Sequence, residues 1–185
     1  MSRTLEVSMG GSGGQGLVLM GLILAEAAGI YEGRKVVGSQ LYGPESRGGA
    51  SRSDVIISDE EIDYPEVEHP DILFAFNQVS ANKYAPHLKP GGTVVFDSTF
   101  VTEPPKVDGT VYELPITKLA REKVGREIVA NIVAIGALVT LTGLVSREAL
   151  TKAVLGRVPK GTEAINQQAL QVGFEAGEEL LRASS

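Results

Sequence analysis

Few sequences leave a chain less choice than Gly10-Gly11-Ser12-Gly13-Gly14-Gln15-Gly16, which has five glycines in seven residues. Glycine loses more conformational freedom on folding than any other residue. Such a run therefore persists where backbone must bend sharply or approach another group closely. An apolar, strand-like run precedes it at residues 5–9 and an apolar, helix-like run follows it at 17–28. The sequence thus reads as strand, glycine turn and helix N-terminus, where free N–H groups and the helix dipole favour an anion such as phosphate or carboxylate.

The spacing Gly11-x-Gly13-x-x-Gly16 also meets the dinucleotide fingerprint, which further requires an acid closing the second strand. The second strand, at residues 35–42, carries none, and Glu45 comes only after a Gly-Pro break. The fingerprint is half present. Glycines kept only for tight strand-to-helix packing are the structural alternative.

The remaining elements alternate. Strands are expected at 51–58, 71–76 and 93–97, with an outer strand at 111–114 and a short helix ending near Tyr84. From residue 117 the chain turns helical, with helices at 117–125 and 127–142. Ser146 is expected to cap a helix running to Gly156. Thr162 is expected to cap the last one, in which Ile165, Ala169, Val172, Ala176 and Leu180 recur at helical spacing. This pattern predicts a single α/β domain over residues 1–185: a three-layer sandwich with a mainly parallel sheet, glycine-rich strand-to-helix loops and a helical C-terminal third. The first helix is apolar nearly all round until Glu26, which predicts that it is sandwiched. The acidic stretch 59–71 reads as a solvated connection.

Charge and composition exclude several functions. A net charge of −6 and the lack of a basic stripe argue against nucleic acid. Residues 128–145 are uncharged, but polar residues and glycines dilute them, so a helix buried in protein is expected and no membrane span. No cleavable leader pattern is seen at the start, and a cytoplasmic location is expected. With no cysteine, the chain holds no disulfide, thiolate-bound cluster or cysteine nucleophile.

A second glycine-rich stretch, Gly43-Pro44-Glu45-Ser46-Arg47-Gly48-Gly49, presents Arg47 between small neighbours as an anion ligand, unless Glu45 pairs with it as a loop brace. Asn77 follows a buried strand and so stands at a carboxyl-terminal sheet edge, where α/β ligands bind. His69 and His87 have no second ligand at motif spacing. The residues alone describe a binding domain without its own catalytic group.

Taken together, the first glycine stretch and Tyr42-Gly43-Pro44-Glu45-Ser46-Arg47-Gly48-Gly49-Ala50-Ser51-Arg52 resemble the gamma subunit of the 2-oxoacid:ferredoxin oxidoreductases, most closely 2-oxoglutarate members. The resemblance continues through Val55-Ile56-Ile57-Ser58 and the helix containing Asn131-Ile132-Val133-Ala134-Ile135-Gly136-Ala137. It implies an oxidative decarboxylation in which a 2-oxoacid, coenzyme A and oxidised ferredoxin give acyl-CoA, carbon dioxide and reduced ferredoxin, catalysed with thiamine diphosphate and iron–sulfur clusters. Asp108-Gly109 follows Val107, where a thiamine site needs glycine, and cysteine is absent. The resemblance therefore implies no cofactor bound by this chain alone: thiamine diphosphate and the clusters belong to alpha, beta and delta sister subunits. Gly11, Ser12, Gly13, Gly14, Gln15, Gly16, Glu45, Ser46, Arg47, Gly48, Gly49 and Asn77 are then expected at a coenzyme A or 2-oxoacid site. A free-standing nucleotide-binding module and an indolepyruvate-type subunit are the alternatives.

Overall fold

The apolar run before the glycines forms β1 (Thr4–Gly11), and the apolar run after them forms α1 (Leu17–Glu26), which widens into a π-helical turn at Ala27–Tyr31. A computed structural model describes residues 3–42 and 49–185. Glu45, Ser46, Arg47 and Gly48 lie outside the described residues. The chain continues through β2 (Lys35–Leu41), β3 (Ser51–Ser58), β4 (Ile72–Ala75), α2 (Gln78–Tyr84), β5 (Gly92–Asp97) and β6 (Gly109–Leu114). Four helices follow: α3 (Ile116–Leu119), α4 (Ala130–Thr142), α5 (Arg147–Arg157) and α6 (Glu163–Ala183).

The six strands form one sheet in the order β2-β3-β1-β4-β5-β6. Strand β3 runs against both its neighbours, and the other neighbouring pairs are parallel. The mainly parallel sheet expected from the alternation is present. Among the described connections strict alternation fails twice, since no helix separates β3 from β4 or β5 from β6, and β2 and β3 pair antiparallel. Because β3 lies between β1 and β2, an acid closing β2 would stand two strands, about 9.5 Å, from the glycine turn. The dinucleotide geometry is therefore missing for a topological reason, besides the missing acid.

Both faces of the sheet are covered, as three layers require. On one side Val7, Met9, Val55, Ile57 and Phe74 pack beneath α1, α4, α5 and α6; on the other Leu73, Ala75, Val94 and Phe96 meet Ala81 and Tyr84 of α2. The acidic connection is mostly solvated, but Val67 and Pro70 are buried and cover the α2 side. Helix α4 presses against α6 through glycine: a Cβ on Gly173 would lie 3.0 Å from Ala137 N and closer still to Val133 O. Among the described residues no helix is long and apolar enough to cross a membrane.

Two helix starts differ in chemistry. Ser146 caps α5 as expected, its Oγ accepting from Ala149 N at 3.0 Å. Thr162 stands at the N-cap position of α6 without capping it. Its hydroxyl donates back to Pro159 O at 2.6 Å, while Glu163 accepts from Gly161 N at 2.7 Å. The proline turn offers that hydroxyl a nearer acceptor than the helix offers donors.

Candidate functional site

Strand β3 pairs with β1 so that Gly11 stands beside Ser51, and with β2 so that Leu41 stands beside Arg52. This register brings the glycine turn and the described flanks of the second loop to one rim. The second loop links β2 to β3, and Ser51 opens the strand that neighbours β1.

The glycine turn is braced from within. Gln15 Oε1 accepts from Ser12 N at 2.7 Å, from Ser12 Oγ at 3.1 Å and from Asn77 Nδ2 at 3.3 Å. Asn77 Oδ1 in turn accepts from Ser80 N at 2.9 Å, capping α2. The side chains of Gln15 and Asn77 are thus engaged with the protein itself.

The glycines divide by what requires them. A Cβ at Gly10 would meet the Tyr84 ring at 2.7 Å, and one at Gly11 would meet Gln15 Oε1 at 2.6 Å. Gly14 and Gly16 have φ of +87° and +76°, which ordinary side chains rarely adopt. Gly13 has neither need: its φ is not positive, and among the described residues nothing lies within 4 Å of a Cβ placed there.

That open space belongs to a cavity of about 620 Å³. Ser12, Gly13, Gly14 and Gly16 line it; the expected site residues Gly11, Gln15, Gly49 and Asn77 do not. Gly14 and Gln15 border a smaller cavity of about 210 Å³, which shares Gly14, Ile128 and Asn131 with the first. The large cavity is mostly apolar, with Leu17, Val129, Val158 and Ile165 in its wall.

Three helices begin at this cavity. The first turn of α1, the 3₁₀ turn Glu127–Val129 that leads into α4, and the first turn of α6 all contribute to its lining. The first N–H groups of a helix have no carbonyl partner within it, so three positive dipole ends meet one space. No acid is among the described lining residues, and the one charged group there is Arg126, which is solvent-exposed and has no ion pair among the described residues.

Arg126 was not singled out from the sequence. The signal was local: it follows Gly125, whose φ is +85°, and immediately precedes a long uncharged helix. Asn131, quoted above only as part of the helix, donates from Nδ2 to Gly16 O at 3.4 Å and lines both cavities.

Outside this rim, Asp54 is buried on the α2 side. It accepts from Ser8 Oγ at 2.7 Å and pairs with Arg52 at 2.9 Å. Burial pushes its carboxyl above the usual range, although the Ser8 hydroxyl and the Arg52 guanidinium pull it down. Arg52 also lies over the Tyr84 ring, and Tyr84 donates to Ala50 O at 3.2 Å. The cluster ties β1, β3 and α2 together and does not face the cavity.

Residues 6–176 match the model of the pyruvate ferredoxin/flavodoxin oxidoreductase family. The chain is 48% identical over 177 residues to the 2-oxoglutarate synthase subunit KorC of Methanocaldococcus jannaschii, covering 95% of each. The crystal structure of the keto/oxoacid ferredoxin oxidoreductase gamma subunit from Geobacter sulfurreducens matches with a TM-score of 0.86 and 49% identity, covering 95% of this chain and 99% of that one. The 2-oxoglutarate:ferredoxin oxidoreductase of Magnetococcus marinus, solved with 2-oxoglutarate, coenzyme A and succinyl-CoA bound, matches with a TM-score of 0.84 and 25% identity, covering 96% of this chain but 32% of that one. With family match, fold and coverage in agreement, the chain belongs to the pyruvate ferredoxin/flavodoxin oxidoreductase family, as a gamma subunit of a 2-oxoacid:ferredoxin oxidoreductase.

Proposed function

We propose that this gamma subunit serves a 2-oxoglutarate-oxidising complex and that its large cavity receives part of coenzyme A at a junction with a sister subunit. The observation that carries the site is Gly13: nothing among the described residues needs a glycine there, while a ligand lying against the turn would. The apolar wall suits the uncharged arm of coenzyme A. Arg126 and the three helix ends suit its phosphates. Ser12, Gly13, Gly14 and Gly16 would lie along the ligand, with Gln15 and Asn77 holding the turn in shape. Glu45, Ser46, Arg47, Gly48 and Gly49 join the proposal on sequence grounds, with Arg47 as a second phosphate or carboxylate ligand.

Alpha, beta and delta subunits would hold thiamine diphosphate and the iron–sulfur clusters, since this chain has no cysteine and no Gly-Asp-Gly. Electrons would pass from there to ferredoxin. A cytoplasmic location belongs to the same reading, supported by a composition with no cysteine to oxidise. The choice of 2-oxoglutarate rests on the similarity to KorC.

The test is kinetic, on the reconstituted complex. Arg126→Ala is expected to raise the KM for coenzyme A about tenfold, the loss of one charge-assisted contact, with Arg126→Lys between it and the native enzyme. Arg47→Ala should act in the same direction. The isolated chain should unfold as before in each case. An unchanged KM for coenzyme A in both alanine variants overturns the site, and faster turnover of pyruvate, 2-oxoisovalerate or indolepyruvate than of 2-oxoglutarate overturns the substrate.

A further inference from the structure

A helix that is apolar on every side is specified for burial on every side. Residues 17–25 of α1 are Leu, Val, Leu, Met, Gly, Leu, Ile, Leu and Ala, yet the fold covers only part of them. Met20, Ile23 and Leu24 are fully buried, whereas Val18 is 40% and Leu22 38% exposed. The expectation that this helix is sandwiched is therefore met on its inner side and unmet on its outer one. Val18 and Leu22 are four residues apart and share one side of the helix, and Ile30, eight residues beyond Leu22, is 70% exposed at its end.

The uncovered side does not stand alone. Tyr42 and Ile128, 71% and 81% exposed, line the large cavity together with Val18. Val18, Leu22, Ile30, Tyr42 and Ile128 are five of the twelve large hydrophobics exposed among the described residues, and they lie on α1, on the turn that continues it and at the cavity mouth. Apolar side chains scattered singly are ordinary, whereas a contiguous set beside a cavity marks an interaction face. The only charged residue in this stretch of the helix, Glu26, is turned aside into an ion pair with Arg157 of α5.

What covers this face follows from chain lengths. In the Magnetococcus enzyme the same fold accounts for 32% of one longer polypeptide, so there the domain is covalently joined to further protein, whereas it makes up 95% of the KorC subunit of Methanocaldococcus jannaschii and 99% of the Geobacter gamma subunit. A domain used both fused and separate must keep by noncovalent contact what the fusion keeps by covalent linkage.

We propose that the outer side of α1, continued by Tyr42 and Ile128 at the cavity mouth, is the docking face for the sister subunit that corresponds to the remainder of the fused relative. The proposal rests on the reading of the cavity as a junction between subunits, and it adds where the sister chain sits and that the contact is apolar. Once docked, that chain takes Val18, Leu22 and Ile30 out of water and closes the cavity.

Hydroxyl-radical footprinting tests this without altering the protein. In the assembled complex, labelling at Leu22, Ile30 and Ile128 is expected to fall to a small fraction of that in the isolated chain. Val79 and Tyr64, which are exposed away from this face, serve as controls and should keep their labelling unless a second interface covers them. Leu22→Glu with Ile30→Glu, two positions outside the cavity lining, should weaken association with the sister subunit about tenfold or more. Thermal unfolding of the isolated variant should be unchanged. Undiminished labelling of Leu22 and Ile30 in the complex overturns the proposal. So does their protection in the isolated chain as its concentration rises, which would make the occupant a second copy. The coenzyme A kinetics of Arg126→Ala are read separately, so loss of the docking face leaves the cavity assignment standing, and the reverse.

Discussion

Gly16 and Asn131 fill one space from opposite ends of the chain: a Cβ on residue 16 would lie 2.9 Å from Asn131 Cγ and closer still to Nδ2. Asn131 is buried, and its Nδ2 donates to the Gly16 carbonyl, so the turn that opens α1 is held by the start of α4. The φ of +76° at Gly16 adds a second demand for glycine.

Gly16→Ala is accordingly expected to destabilise the isolated chain by about 2–5 kcal/mol, from the left-handed backbone plus overpacking. Asn131→Gly in the same chain should return the steric part, and urea unfolding of the four-member cycle measures that coupling. Gly13→Ala is the control: with no positive φ and open space around it among the described residues, its stability should change by less than about 0.5 kcal/mol. A neutral Gly16→Ala would mean that the turn yields to the new methyl group.

Two glycine-to-alanine changes, one in α5 and one at the crossing of α4 and α6, should have opposite signs. Alanine is the better helix former by about 1 kcal/mol, and Gly156→Ala on the exposed side of α5, with its nearest neighbour Tyr31 Oη at 3.8 Å, should gain most of that. Gly173→Ala meets the backbone of α4 at Val133, Gly136 and Ala137, which cannot rotate away, so a net loss of about 1–3 kcal/mol is expected. Thermal melts of the two variants beside the native chain decide it.

Asp54 should give a pH dependence opposite in sign to that of an ordinary surface carboxylate. Its folded pKa is raised by burial above the unfolded value near 3.8, so between the two the folded chain holds a proton that the unfolded chain has released. Its contribution to stability is therefore greatest at and below pH 3.8 and declines as pH rises through the folded pKa. Measured as native minus Asp54→Asn in urea titrations from pH 3 upward, the difference should fall with rising pH. A difference that rises instead would show that the Arg52 pair outweighs burial.

Much of this protein is written in short stretches. The glycine turn between β1 and α1, the Ser146 cap, the helical spacing of Ala169, Val172 and Ala176 and the absence of cysteine depend on neighbours within a few residues, and each was legible in order along the chain. Family membership was legible for the same reason, since the two glycine-rich motifs are contiguous. Thr162 shows the limit of such reading: its type and position fit a cap, and a proline carbonyl three residues earlier took its hydroxyl.

Amino-acid order by itself determined which segments would be strand, turn and helix, because hydrophobic period and backbone freedom are local properties. Only the tertiary structure decided that β3 runs antiparallel between β2 and β1, which of the glycines face their own protein and which face open space, and that Arg126 stands beside a turn more than a hundred residues earlier. Those outcomes depend on contacts such as the one from Asn131 to Gly16, 115 residues apart. A strand order or a cavity is set by which distant surfaces bury one another most completely, and that is a property of the assembled layers, absent from any single segment.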